Sequence, residues 1–263
     1  MNRLRPRLDI NAALPISASL RQRIPMSDPV FQPRPYHPRP TNNDPPNNTP
    51  AYRSTNDRHP TQPLVVIPQT LSEITGPVYS YGQIGPMDND LTRQHAGEPL
   101  GERIIVAGRV LDTDERPVPD TLVEIWQANA AGRYAHAGDT HQAPLDPNFS
   151  GAGRMVTDSN GYFQFITIKP GAYPWQNHTN AWRPPHVHFS VFGHSFLTRL
   201  MTQMYFPGDP LLQFDPIFNA VPTERARQRL VAAFALELTE PRWALGYRFD
   251  IVLRGRDATP MER

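Results

Sequence analysis

Trp182-Arg183-Pro184-Pro185-His186-Val187-His188-Phe189-Ser190-Val191 is the stretch around which the rest of the chain is organised. Proline cannot donate to a sheet ladder, so Pro184 and Pro185 mark the entrance of a strand and not its interior. Beyond them Val187, Phe189 and Val191 alternate with His186, His188 and Ser190. Successive strand side chains point to opposite faces, so both histidines point the same way. Two imidazoles on one face can bind one metal ion. Two polar residues turned toward water or toward a core hydrogen bond give the same pattern, and the run by itself leaves both readings open.

Outward from this run, short strand patterns fill most of the chain. Residues 104–111 and 122–128 read as strands separated by a turn over 113–119, and 199–206 as another. Asn160-Gly161 between two apolar runs is the strongest local hairpin signal, joining Met155-Val156-Thr157 to the run from Tyr162 to Ile166. Tyr247, Phe249, Ile251 and Leu253 alternate with polar or smaller residues in a half-buried strand. Thr70-Leu71-Ser72-Glu73 is a capping box opening a short helix that Gly76-Pro77 stops. Thr223 opens the one long helical pattern, to about residue 238, with Ala226, Leu230, Ala233, Phe234 and Leu238 on one face. Many short strands, turn signals between them and one late helix predict an all-β sandwich of mainly antiparallel strands.

Composition limits what else the chain can be. Its 263 residues suit one domain with a long arm, and the hydrophobic content of 38% is low for a packed protein. The shortfall is local, because fourteen of the 31 prolines fall in the first 68 residues. The expected division is therefore an extended or disordered arm at 1–63 and a β-sandwich domain at 64–263. Within the arm, 1–25 carries five arginines and one acid and reads as an upstream extension before a start at Met26. A net charge of +1 gives no case for nucleic-acid or membrane attraction. No apolar run is long enough for a transmembrane helix. The absence of cysteine excludes disulfides, iron–sulfur clusters and thiol catalysis. A cytoplasmic protein is expected.

Two tyrosines stand upstream of the histidine pair, each after a glycine-containing turn: Tyr134 in Gly132-Arg133-Tyr134 and Tyr173 in Pro170-Gly171-Ala172-Tyr173-Pro174-Trp175. Together with Trp182-Arg183-Pro184-Pro185-His186-Val187-His188 they resemble the motifs of the intradiol ring-cleavage dioxygenases, and most nearly those of iron-bearing chains with a proline-rich arm. The resemblance runs from about residue 49 to 256, with further family-like stretches at 101–110, 123–129, 146–149 and 246–255. Ala172 and Pro185 depart from the usual family residues, and neither removes a candidate ligand.

The resemblance implies a non-haem Fe(III) held by Tyr134, Tyr173, His186 and His188, one ion per chain. The residue chemistry agrees. Imidazoles alone suit zinc, copper, iron or nickel, whereas phenolate favours a hard, highly charged ion. Two phenolates and a hydroxide would neutralise a trivalent ion. A cupin site would need a glutamate shortly after the H-x-H, where Phe192 and Gly193 stand, and a two-histidine, one-carboxylate site also lacks its acid. The implied substrates are O2 and a catecholic diol. Protocatechuate is the first expectation, with catechol or hydroxyquinol as the alternative.

The resemblance assigns further roles by position. Tyr173 is the ligand that substrate displaces and a base for its proton, Arg183 supplies positive charge, and Gln203 hydrogen-bonds near the O2 site. Trp175 and Ile217 form pocket walls, Tyr52 reaches the pocket from an arm that wraps a neighbouring subunit, and Arg58 is a candidate partner for the substrate carboxylate. A homologous alpha chain in a large hetero-oligomer is the implied partner. The competing reading, from another class, is a non-catalytic partner subunit that shares the fold. Trp126 is expected in the core, and His136, His141, His178 and His194 as surface or structural histidines. The tail after Gly255 carries no expected role.

Overall fold

The computed structural model of the chain describes residues 34–35, 43–66, 84–177, 179–180, 182–192 and 199–262. Its strands are β1 (Arg34–Pro35), β2 (Val65–Val66), β3 (Arg103–Leu111), β4 (Leu122–Trp126), β5 (Ala152–Val156), β6 (Tyr162–Ile168), β7 (Tyr173–Pro174), β8 (Trp182–Arg183), β9 (His186–Phe192), β10 (Arg199–Tyr205), β11 (Ala233–Phe234), β12 (Leu245–Arg248) and β13 (Ile251–Val252). The helices among the described residues are single turns or little more: α1 (Thr55–Arg58), α2 (Pro216–Asn219) and α3 (Glu224–Gln228), besides two short 3₁₀ segments. None is long and apolar enough to cross a membrane.

Two sheets make the body, as the strand patterns predict. One has the order β10-β9-β4-β5 and is antiparallel throughout. The other is centred on β3, which pairs antiparallel with β6 along one edge. Along its other edge β12 and then β13 pair parallel to it. Val187, Phe189 and Val191 of β9 point between the sheets and are buried there with Val106, Phe163 and Phe165. The Phe189 ring meets Phe163 and Phe165 edge-on, each at 5.9 Å between centroids. Such geometry is favoured by the ring quadrupole and fills the layer without voids. His186 and His188 therefore lie on the other face of β9. That face is covered by the loop from 127 to 151 and the β7–β8 hairpin.

Three local expectations fail, each for a tertiary reason. The helix from Thr223 begins as predicted, with Thr223 Oγ1 capping the Ala226 N–H, but ends at Gln228 and not near 238. Beyond it the backbone finds partners elsewhere: Ala232 N donates to Tyr205 O and Ala235 N to Gly246 O, while β11 pairs with β12. Ala232 and Ala235 are buried and Phe234 is half exposed, so the helical phase of the apolar residues is lost. Sheet pairing overrides a weak helical preference.

The Asp158–Gly161 turn is also present, with Gly161 at φ +67° and Asp158 Oδ1 accepting from the N–H groups of Asn160 and Tyr162. Its two flanking strands part company, however. β5 pairs with β4 in one sheet and β6 with β3 in the other, so the turn is a corner between layers and not a hairpin. The last predicted strand is split as well. Asp250 Oδ1 takes the Arg109 N–H that a backbone carbonyl would otherwise accept, separating β12 from β13.

The arm is less featureless than its composition suggests. Thr55 is buried and its hydroxyl accepts from Thr49 N and donates to Tyr52 O, fixing the turn that precedes α1. The described arm packs on this chain itself: Arg53 N donates to Asn177 O, and Asn43 Nδ2 to Ala258 O. The capping box near Thr70, the segment 1–33, His178 and His194 lie outside the described residues.

Gly108 shows how closely β3 and the split strand approach, since a Cβ there would sit 1.9 Å from Phe249 O. Gly108→Ala is expected to destabilise the fold by at least ~1–3 kcal/mol, the range for overpacking a filled interior. Urea unfolding of the two proteins measures it, and equal midpoints would contradict this packing.

Candidate functional site

The two strands next to β9 determine what the histidines meet. Across the sheet Trp126 of β4 stands opposite His188, and His188 opposite Gln203 of β10, while His186 stands opposite Tyr205. Directly opposed residues share a face and touch. The Trp126 and His188 rings stack at 4.8 Å and 4°. Trp126 is thus not a core residue, as its strand position suggested, but a wall that fixes the plane of an imidazole.

The tyrosines arrive from two crossing loops. Asn129 ties the first, its Oδ1 accepting from Ala131 N and Arg133 N, and its carbonyl accepting from Gly132 N and Gly171 N. Gly132 has φ +77°, and a Cβ on it would lie 2.2 Å from Ala172 O; one on Gly171 would lie 2.4 Å from Ala130 O. Only glycines let these loops cross so tightly. Tyr134 is then held by its own N–H, which donates to Asp139 Oδ2 at 2.8 Å. Tyr173 is held by the β7–β8 pairing, which puts it opposite Arg183.

Three side chains meet at His186 Nε2. His188 Nε2 lies 3.2 Å from it, the Tyr173 hydroxyl 3.4 Å and Arg183 Nη1 3.2 Å. The Tyr134 ring is edge-on to Tyr173 at 5.4 Å. His186 Nδ1 lies 2.7 Å from Pro184 O, a contact that requires the proton on Nδ1 and leaves Nε2 as a bare acceptor. That lone pair faces the Arg183 N–H, the Tyr173 hydroxyl and His188 Nε2, and it is free to bind a cation that displaces them.

Burial sets the charge states. It pushes the Tyr134 hydroxyl well above the usual tyrosine range, with the neighbouring Tyr173 adding to the shift. It raises Tyr173 too, against the opposing pull of Arg183. It lowers His186 well below the usual imidazole range and His188 to about 3, with Arg183 adding to both. By themselves these are four neutral groups. The buried Tyr134 Oη has no well-formed hydrogen bond, and the Tyr173 hydroxyl is the polar group that interacts with it. Two buried phenols beside two converging imidazoles fit a cation at this point, because a nearby positive charge stabilises phenolate.

Behind the cluster Arg183 is 2% exposed. Its Nη2 lies 2.8 Å from Asp215 Oδ2, 2.7 Å from Gln203 Oε1 and 2.9 Å from Tyr205 Oη. Asp215 is fully buried and also accepts from Ile217 N, capping α2. In front of the cluster lies a cavity of about 890 Å³, lined by Trp126, Tyr134, Tyr173, Trp175, Gln142 and His188 among others.

The predicted site residues thus separate by location. Tyr134, Tyr173, His186, His188, Arg183 and Gln203 form one connected cluster, and Trp175 lines the cavity before it. Tyr52 packs on Trp175 at 4.9 Å, and Arg58 lies over the outer side of Tyr52 at 4.7 Å. Both stand on this chain's arm, which packs on this chain at Asn177 and Ala258. Ile217 is half-buried on α2 and does not line the cavity. His136 and His141 stand at the cavity mouth. Tyr205, Asp215 and Glu262 are in the cluster without having been singled out by sequence, and Trp126 joins it although expected in the core. The register of β10 could have found Tyr205; the Asp-Pro pair marks Asp215 as a helix cap and says nothing of Arg183.

Comparison with known proteins follows the same lines. The family described as Dioxygenase matches residues 74–255, and the one described as Protocatechuate 3,4-dioxygenase beta subunit N terminal matches 36–70. The chain is 62% identical over 214 residues to the protocatechuate 3,4-dioxygenase beta chain of Burkholderia cepacia, covering 81% of this chain and 91% of that one. It is 30% identical over 205 residues to the alpha chain from the same organism, covering 74% and 98%. Among solved structures, 3-chlorocatechol 1,2-dioxygenase from Rhodococcus opacus 1CP matches with a TM-score of 0.50 at 25% identity, over 70% of this chain and 71% of that one.

Asp215→Ala would leave the Arg183 guanidinium buried without its carboxylate. Breaking such a pair costs ~3–5 kcal/mol. Denaturant unfolding should show a loss of that size, and a loss below about 1 kcal/mol would contradict the buried pairing.

Proposed function

The chain belongs to the intradiol ring-cleavage dioxygenase family, and on that premise we propose that it cleaves protocatechuate between its two hydroxylated carbons. O2 is the oxidant, both of its atoms enter the product, and that product is 3-carboxy-cis,cis-muconate. The observation that carries the reading is the meeting of Tyr134, Tyr173, His186 and His188 at one buried point beside a cavity. In this reading the four side chains hold one Fe(III). When bound, the ion would supply the positive charge that favours phenolate over phenol and would make a catecholic ring reactive toward O2.

The remaining work falls to the chain. The Tyr173 oxygen, beside the Arg183 guanidinium, is placed to take a proton from a substrate hydroxyl. Arg183 cannot lose its own charge, so it stands ready where negative charge develops on the substrate oxygens. Gln203 and Asp215 hold that guanidinium in place. Trp126 and Trp175 give the cavity flat walls suited to an aromatic ring. Tyr52 and Arg58 act at the rim through Trp175, where Arg58 can meet a ring carboxylate.

Assembly and organisation belong to the same reading. The partner is a homologous alpha-type chain in a hetero-oligomer, and the chain divides into an arm at 1–63 and a catalytic sandwich at 64–263. The 62% identity to a beta chain over most of its length supports protocatechuate over catechol or hydroxyquinol. The presence of all four ligand side chains argues against a non-catalytic subunit.

Oxygen uptake by the purified complex with each diol tests the substrate. One O2 consumed per protocatechuate, with kcat/KM at least about tenfold above that for catechol or hydroxyquinol, is expected, a margin of ~1.4 kcal/mol in transition-state stabilisation. A preference for catechol would contradict it.

A further inference from the structure

The two histidines differ in how their outer nitrogens are supported. His186 Nδ1 is satisfied by Pro184 O at 2.7 Å. His188 Nδ1 is buried with no hydrogen-bond partner. A metal-bound imidazole normally gives its outer N–H to a carboxylate or carbonyl, which fixes the tautomer and the ring direction. The carboxylate facing His188 Nδ1 is Glu262, whose Oε2 stands 3.9 Å away. That is too long for a hydrogen bond, and a shift of ~1 Å would close it. The Trp126 stack holds the imidazole still, so the adjustment falls to Glu262, whose side chain is 24% exposed.

The same Oε2 accepts from Gln203 Nε2 at 2.9 Å. This contact decides which way the Gln203 amide points. With Nε2 toward Glu262, Oε1 must face Arg183 Nη2 and the Tyr205 hydroxyl, and both lie within 2.9 Å of it. One carboxylate thus orients Gln203 directly and Arg183 through it.

The segment that carries Glu262 is built into the fold. Glu262 N donates to Met201 O at 2.7 Å, and the Thr202 hydroxyl to Pro260 O at 2.8 Å, so the tail runs beside β10 next to Gln203. Ala258 and Thr259 are fully buried. Met261 N donates to Asp44 Oδ1, and Asn43 Nδ2 to Ala258 O, so the arm clasps the tail in turn. No motif marks this tail in the sequence.

We propose that Glu262, delivered by the C-terminal tail, is a positioning residue of the metal centre, holding the outer nitrogen of His188 and the amide of Gln203. The inference rests on the Fe(III) reading above. Its test uses the full chain purified with its alpha-type partner, as wild type and as Glu262→Ala, Glu262→Gln and Met261→Ala. Iron content, the rate of iron loss to a chelator, the visible absorption band and the melting temperature are read for each.

Support of this kind is worth roughly ten- to a hundredfold in metal affinity. Glu262→Ala should therefore lose iron at least about tenfold faster and show a shifted visible band. Glu262→Gln keeps an acceptor for the His188 N–H and should recover much of both. Met261→Ala, which leaves the tail backbone bonds in place, should stay within about twofold of wild type. Iron loss within twofold and an unmoved band in Glu262→Ala would overturn the proposal, as would a lowered melting temperature with an unmoved band. A wild-type complex with neither iron nor a visible band would instead sink the Fe(III) reading on which the proposal stands.

Discussion

A guanidinium that cannot shed its proton is buried at Arg183, 2% exposed, and much of the site's architecture follows from that. The charge needs a carboxylate, and Asp215 supplies one that is itself fully buried. The pair does not make the protein stable so much as make its disruption costly, since either partner left alone would be a buried, uncompensated charge. Around it, Gln203, Tyr205 and His186 are drawn into fixed orientations, and burial together with Arg183 keeps both imidazoles uncharged. Neutral imidazoles are the form that can bind a metal.

Geometry explains why such a polar cluster can coexist with a packed interior. The alternation of β9 assigns Phe189 to the layer between the sheets and His186 and His188 to the other face. On that face two glycine-dependent loops and the short β7–β8 hairpin cover the histidines and leave the cavity in front of His188. The site therefore belongs to neither core nor surface. It is a second, polar interior, where burial of Arg183, His186, Gln203 and Asp215 strengthens the interactions among them.

The sandwich was legible in the sequence because strand alternation and turn residues are local signals. So was the H-x-H pair, whose shared face follows from strand periodicity alone, and the tyrosines, once their motifs were read with it. Features that depend on distant partners were not. The segment after Gln228 has an apolar pattern that suits a helix, and only Tyr205 and Gly246 show that its backbone pairs elsewhere. The Asn160-Gly161 turn is identical whether its strands pair with each other or enter two sheets. Trp126 looks like core until the register places His188 opposite it. Glu262 stands in a tail with no motif, and its relation to Gln203 is visible only after folding.

The central claim is that Tyr134 and Tyr173 are phenolates bound with His186 and His188 to one ferric ion. Resonance Raman spectroscopy of the purified, iron-containing complex, excited within its visible band, tests it most directly. Tyrosinate ring modes should be enhanced in the wild type, change in Tyr134→Phe and Tyr173→Phe, and persist in Arg58→Ala. An iron-replete complex without enhanced tyrosinate modes would contradict the account.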